Sequence, residues 1–115
     1  MASLNMGKSL PFDRESITRY VEKEKIGNYA LGKMDGQGFR VSYVGRSDTD
    51  LRKRLLNHID EPYTHFKYSY ATSKKAAFEK ECKNFHDFNP PDNSIHPDRP
   101  EGTDWKCPLC SRFDE

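Results

Sequence analysis

Two short segments that flank an Asp-Gly pair constrain the fold of this chain most. Tyr29–Lys33 and Phe39–Val44 read as β-strands, and Met34–Gly38 between them contains the Asp-Gly signal of a tight turn. This arrangement predicts a β-hairpin. Any fold of the chain must therefore contain an antiparallel pair of strands in its first half.

Three helices and one more strand complete the predicted pattern. Leu51, Leu55 and Ile59 recur every four residues, which places them on one helical face directed at the core. Phe66–Tyr70 alternates like a strand. The predicted helices run from Asp13 to about Lys25, from Thr49 to Ile59, and from Thr72 or Ser73 to Phe85 or His86. The pattern predicts an α+β fold with a small three-stranded mixed sheet flanked by helices.

The composition indicates one domain with a thin core. The chain has 115 residues and a mean hydropathy of −0.99, with 32% charged and 34% hydrophobic residues, a balance that leans toward disorder. Aromatic residues make up 12% and the net charge is only +1, which favours folding. We therefore expect a flexible N-terminus over residues 1–12, a folded domain over 13–93, and a Pro-rich arm over 94–115 that is held by a staple such as a metal ion.

Cysteine usage and hydropathy indicate a reducing environment. The chain has three cysteines, an odd number that does not suggest a closed set of disulfides, and its first residues lack the apolar run of a signal peptide. No segment approaches the roughly 20 apolar residues of a membrane-spanning helix. We expect a cytoplasmic protein without a membrane partner, in which thiols bind metal.

The second predicted helix carries two groups suited to phosphate chemistry. Arg54 and His58 are four residues apart and so lie on one face, beside the apolar stripe. A guanidinium can hold two phosphate oxygens, and a histidine can transfer a proton near neutral pH. On spacing alone, the more common interpretation is a solvated basic run, here Arg52-Lys53-Arg54.

The order of five short motifs is more specific than any single residue in them. The motifs are Gly27-Asn28-Tyr29, Tyr43-Val44-Gly45, Leu51-Arg52-Lys53-Arg54 with His58 one turn later, Ala77-Phe78-Glu79-Lys80-Glu81, and Asn93. In this order and spacing, the chain resembles the GIY-YIG nuclease superfamily over about residues 27–93. It departs from the family pattern at Asn28, where an apolar residue is usual, and at Glu79, which competes with Glu81 for the metal role.

The resemblance implies a GIY-YIG-like fold and a metal-dependent endonuclease that hydrolyses DNA phosphodiester bonds. Glu81 would hold Mg²⁺ or Mn²⁺, and Arg54 would clamp the scissile phosphate. Either Tyr29 or Tyr43 would position the attacking water, and His58 would assist proton transfer or orient Tyr29. The predicted supporting residues are Asn93, which would brace the site, and Arg46, Arg52 and Lys53, which would contact the substrate.

A second candidate metal site joins the end of the chain to the last helix. Cys107 and Cys110 have the two-residue spacing of a zinc knuckle, and Cys82 and His86 lie one helical turn apart. These four residues predict a closed structural Cys₃His zinc site, with His96 as the substitute if His86 faces elsewhere. The alternatives are a buried core thiol at Cys82 and a redox-active Cys-x-x-Cys pair.

Two other classes of function are compatible with the sequence. One is a catalytically inactive, zinc-stabilised nucleic-acid-binding module. The other is a protein-interaction module that presents the acidic tail residues Asp98, Glu101 and Asp104. The near-neutral net charge favours transient contact with DNA, and hence reliance on a targeting protein or a homodimer.

Overall fold

A computed structural model describes residues 4, 6–93, 96–98 and 102–110 of the protein. Its elements, in chain order, are β1 (Leu10–Pro11), α1 (Arg14–Tyr20), β2 (Gly27–Asp35), β3 (Gly38–Ser47), α2 (Leu51–Asn57), β4 (His65–Tyr70) and α3 (Lys74–Phe88). The predicted succession of helices and strands is confirmed in these ranges, and β1 is an addition to it.

The strands of the described residues form one antiparallel sheet in the order β1-β4-β2-β3. The predicted hairpin is confirmed as β2 and β3, whereas the predicted three-stranded mixed sheet is wrong in both strand number and strand direction. The connection through α2 returns the chain to the far side of β2, so β4 pairs with β2 in the antiparallel direction. Strand β1 then extends the sheet, with Leu10 opposite Phe66.

Strand β2 is buried on both of its faces. Tyr29 and Leu31 belong to the apolar cluster formed with α1 and α2, while Ala30 belongs to the cluster formed with Val44 and the side chains of α3. Burying a Leu or Phe side chain stabilises a fold by about 1.5–3 kcal/mol, so these two clusters provide most of the stabilisation that a small apolar core contributes. The helices therefore cover the sheet from both sides.

Several boundaries differ from those predicted. Helix α1 ends at Tyr20, because Val21 adopts an extended conformation and is buried. Helix α3 begins after the N-cap Ser73 and continues past His86 to Phe88. Part of the N-terminal segment that was expected to be flexible is structured, since Leu4, Met6 and Phe12 are buried in the two clusters and residues 10–11 form β1.

No membrane-spanning helix is found in the described part of the chain, where every helix is too short or too polar to cross a bilayer.

Candidate active site and metal centre

A cleft of about 560 Å³ lies beside the edge strand β3, between α2 and α3. It brings together six of the predicted site residues, namely Tyr43, Arg46, Lys53, Arg54, Glu81 and Asn93. The remaining lining comes from the loop before α2, from the end of α2 and from residues 96–98. The cleft is therefore the place where distant parts of the chain converge.

A chain of hydrogen bonds runs from the core toward the surface beside this cleft. The Tyr29 hydroxyl lies 2.8 Å from Nε2 of His58, and Nδ1 of His58 lies 2.7 Å from a carboxylate oxygen of Glu61. Because a carboxylate only accepts, Nδ1 of a neutral imidazole donates to Glu61 and Nε2 accepts from Tyr29. Glu61 was not predicted, although its position three residues after His58 was a usable signal.

Tyr29 and Tyr43 differ in their access to the cleft. Tyr29 is fully buried and is not part of the lining, and burial raises the pKa of its phenol far above the ordinary value. Tyr43 lines the cleft, with its ring stacked on that of Tyr29 at 6.3 Å between centroids. Burial, followed by the charge of Glu81, raises the pKa of Tyr43 as well. Arg54 also lines the cleft, and its positive charge opposes the rise in the pKa of Tyr29.

Gly45 makes room for the Tyr29 side chain. The two residues are paired across β2 and β3, and a Cβ atom at Gly45 would overlap the ring and hydroxyl of Tyr29. Tyr43 and Gly45 point to the same face of β3 because they are two residues apart. The Tyr43-Val44-Gly45 motif thus places Tyr43 in the cleft and, two residues later, leaves the space that the Tyr29 side chain fills.

Glu81 lies on the opposite side of the cleft in a partly buried ion pair. Its Oε1 accepts from Nη1 of Arg46 at 2.6 Å, and Nε of Arg46 donates to Asp48 at 3.0 Å. Burial raises the pKa of Glu81, while the neighbouring Arg46 opposes this shift. Glu79 instead lies 4.0 Å from Lys75 on the outer surface of α3, so Glu81 is the acid that faces the cleft.

Asn93 holds the segment after α3 against the edge of β3. Its amide oxygen accepts from the backbone N–H of Val44 at 2.8 Å, and its amide nitrogen donates to the carbonyl of Val44 at 3.0 Å. At the β-bulge nearby, the backbone N–H of Asp92 donates to the carbonyl of Ser42 at 2.9 Å. These bonds satisfy backbone groups of an edge strand and fix one wall of the cleft.

The two predicted substrate contacts on α2 lie in different places. Arg52 donates from Nε to the carbonyl of Val21 at 2.6 Å and from Nη2 to the carbonyl of Thr18 at 2.8 Å, so it ties α2 to the end of α1. Lys53 is exposed and lines the cleft. Only Lys53 is placed to reach a molecule bound there.

A group of four potential metal ligands lies where α3 meets the end of the described chain. His86, His96, Cys107 and Cys110 offer ligand atoms that all lie within 4.8 Å of one another, a set that could hold an ion such as zinc. The structure thus differs from the predicted set, because His96 joins His86 and Cys82 stays outside the group. Cys82 is fully buried among apolar side chains, in contact with Cys107.

No protein-family model, curated protein or solved structure matches this chain. The functional interpretation therefore depends on the residues and their geometry.

Proposed function

We propose that the protein is a metal-dependent endonuclease that hydrolyses DNA phosphodiester bonds at the cleft beside β3. The observation that carries this proposal is the convergence of Tyr43, Arg54 and Glu81, which come from three different elements and line one cleft. A hydroxyl, a guanidinium and a carboxylate are the groups that orient water, neutralise a phosphate and hold a divalent cation.

The donor atoms at the cleft fit a hard divalent cation. The carboxylates of Glu81 and Asp48 both line the cleft, and oxygen donors are what Mg²⁺ and Mn²⁺ prefer. In the proposed mechanism Glu81 holds the cation, which when bound neutralises charge on the phosphate and on the leaving oxygen. Arg46 donates to one oxygen of Glu81 and opposes the rise in the pKa of this carboxyl that burial causes.

The chain's own residues carry the remaining steps. Arg54 holds the phosphate as negative charge develops on it, and the Tyr43 hydroxyl orients the attacking water. Water adds to phosphorus while the bond to the leaving oxygen breaks, and that oxygen takes up a proton. The proton lost by the water passes to solvent through the cleft, while the hydrogen-bonded chain of Tyr29, His58 and Glu61 supports the ring of Tyr43 from behind.

The decisive experiment is cleavage of plasmid, branched and single-stranded DNA with Mg²⁺ or Mn²⁺. Glu81→Gln and Arg54→Ala should each lower the cleavage rate by about 10²–10³-fold, the usual cost of a lost transition-state contact. Glu79→Gln is the matched control, since Glu79 lies on the same helix outside the cleft lining, and it should retain activity. Absence of cleavage by folded wild-type protein across the panel would contradict the proposal.

The Arg46–Glu81 ion pair also favours a second candidate, a nucleic-acid-binding module without turnover. Arg46 pairs with the Glu81 carboxylate without a metal ion. Lys53 and Arg54 still present positive charge to the phosphate backbone of a nucleic acid. DNA affinity that falls steeply with salt, in the absence of cleavage, would identify this module. Affinity for a protein partner alone would favour the acidic tail, in which Glu101 lies outside the described residues.

A cytoplasmic location and targeting through a partner protein or a homodimer belong to the same proposal. Thiolate ligands persist in a reducing compartment, and a net charge of +1 provides little long-range attraction to DNA.

A further inference from the structure

We propose that His86, His96, Cys107 and Cys110 bind one zinc ion in a closed tetrahedral site, and that this ion positions residues 96–98 as a wall of the cleft. The zinc site does not depend on the proposed nuclease function. Only the predicted effect of zinc on DNA cleavage rests on the proposed function.

Two of the separations between the four ligand atoms already suit a tetrahedral ion, and all of these atoms lie within 4.8 Å of one another. With Zn–N bonds of about 2.05 Å, two ligand nitrogens are about 3.3 Å apart, and with a Zn–S bond of about 2.3 Å a nitrogen and a sulfur are about 3.6 Å apart. Nε2 of His86 lies 3.3 Å from Nε2 of His96, which in turn lies 3.4 Å from Sγ of Cys110. Both measured separations match edges of such a tetrahedron.

The hydrogen bonding of His96 prepares it to be a ligand. Its Nδ1 lies 2.7 Å from the carbonyl oxygen of Pro97, which can only accept, so Nδ1 carries the proton. The lone pair of the neutral ring is then on Nε2, the atom directed at His86 and Cys110. An outer hydrogen bond of this kind is what orients metal-bound histidines in proteins.

The ligands come from three separate parts of the chain. His86 lies on α3, His96 follows the segment held by Asn93, and the two cysteines lie in the turn at residues 107–110. An ion bound by all four residues would join these three segments directly. It would also use only two of the three thiols, leaving Cys82 in the apolar cluster with Phe78.

The site and the cleft share a segment. His96 is a member of the ligand group and also lines the cleft, followed by Pro97 and Asp98. His86 lies on the same helix as Glu81, one turn and a residue further along. The ion therefore sets the distance between the helix that carries Glu81 and the wall that faces it.

Cobalt substitution and metal analysis of the purified full chain test the ligand set. We expect one zinc per chain and, with Co²⁺, tetrahedral d–d bands and the charge-transfer absorption of two Co–S bonds. His96→Ala and Cys110→Ser should lose the bound metal, while Cys82→Ser, the matched thiol control, should keep both metal and spectrum. A folded wild type that binds no metal, or a Cys82→Ser variant that loses one of three Co–S bands while His96→Ala is unaffected, would overturn the assignment.

Hydrogen exchange tests the coupling to the cleft without reference to cleavage. On removal of zinc, the backbone amides of residues 96 and 98 should lose protection, whereas the amides of β2 should stay protected. Unchanged exchange at residues 96 and 98 would contradict the positioning role. If the protein proves to be a nuclease, zinc removal in excess Mg²⁺ should also lower cleavage, and Cys82→Ser should not.

Discussion

Gly45 and Glu81 show how single residues determine the chemistry of the cleft. Gly45 has no side chain, and the space it leaves is filled by the phenol of Tyr29. Glu81 is a carboxylate with only 8% of its surface exposed, a placement that is costly unless the charge is paired, and Arg46 provides the pair. Each residue can be tested by a single substitution.

Gly45→Ala should destabilise the protein by about 1–3 kcal/mol, because the added methyl group overlaps Tyr29 and the packed core has no space to absorb it. Urea unfolding measures the change. Gly36→Ala is the matched control, since a Cβ at Gly36 meets no atom within 4 Å, and it should be close to neutral. Equal stability of the two variants would show that Tyr29 is not held against β3.

The raised pKa of Glu81 predicts how stability depends on pH. The folded carboxyl binds its proton more tightly than the unfolded one, whose pKa is about 4.3. The native state therefore holds more protons in the window above that value, and the free energy of unfolding contributed by Glu81 falls as pH rises through it.

Urea unfolding at several pH values, with Glu81→Gln as reference, measures this contribution. The stability of wild type relative to Glu81→Gln should decrease between about pH 4 and the raised pKa, and then level off. A relative stability that increases with pH would mean that Arg46 outweighs burial and lowers the pKa of Glu81.

At the scale of secondary-structure elements, two polar side chains connect neighbouring elements by hydrogen bonds. These bonds fix the relative positions of the elements, which apolar packing alone would define less closely. Asn28 is fully buried on β2, and its Nδ2 donates to the carbonyl of Ala77 on α3 at 2.9 Å. Arg52 joins α2 to α1 by its two bonds to backbone carbonyls. Asn28 thus has a structural role in this chain.

Arg52→Ala should cost about 1.5–3 kcal/mol of stability, the range for hydrogen bonds to a charged group, and should leave DNA affinity nearly unchanged. Lys53→Ala, at the next position in the chain, should have the opposite effects. It should change stability by less than about 0.5 kcal/mol while weakening DNA binding and lowering its salt dependence by about one phosphate contact. Fluorescence anisotropy at several salt concentrations, with urea unfolding, separates the two outcomes.

The elements that the sequence predicts well are those with a local signal. The hairpin follows from its Asp-Gly turn, and the start of α3 follows from the capping Ser73. Strand β1 has two residues and therefore no period to detect. Helical spacing correctly places Cys82 and His86 near each other. Which of the two forms a ligand group with Cys107 and Cys110 depends on the path of the C-terminal arm, and the sequence of this arm has no periodicity from which its path could be predicted.

At the scale of the whole molecule, the three apolar clusters found among the described residues differ in size. The two on the faces of the sheet involve residues from several elements, whereas the third consists of Phe78, Cys82 and Cys107, with Trp105 and Cys110 packed against it. The third cluster includes the proposed zinc ligand Cys107, and a second proposed ligand, Cys110, packs against it. Residues 105–110 are therefore joined to α3 by a small apolar contact, to which the proposed ion would add a second connection.

Because the proposed zinc site is assembled only in the folded chain, zinc should stabilise the whole domain by mass action. At a free zinc concentration 100 times the dissociation constant, the free energy of unfolding should rise by about 2.7 kcal/mol. Thermal unfolding of metal-free protein with and without added zinc measures this gain, and Cys82→Ser should show the same increase as wild type. Cys110→Ser should show none, since one ligand is missing. A zinc-induced increase that survives in Cys110→Ser would mean that the ion binds elsewhere on the molecule and that the arm is held by its apolar contacts alone.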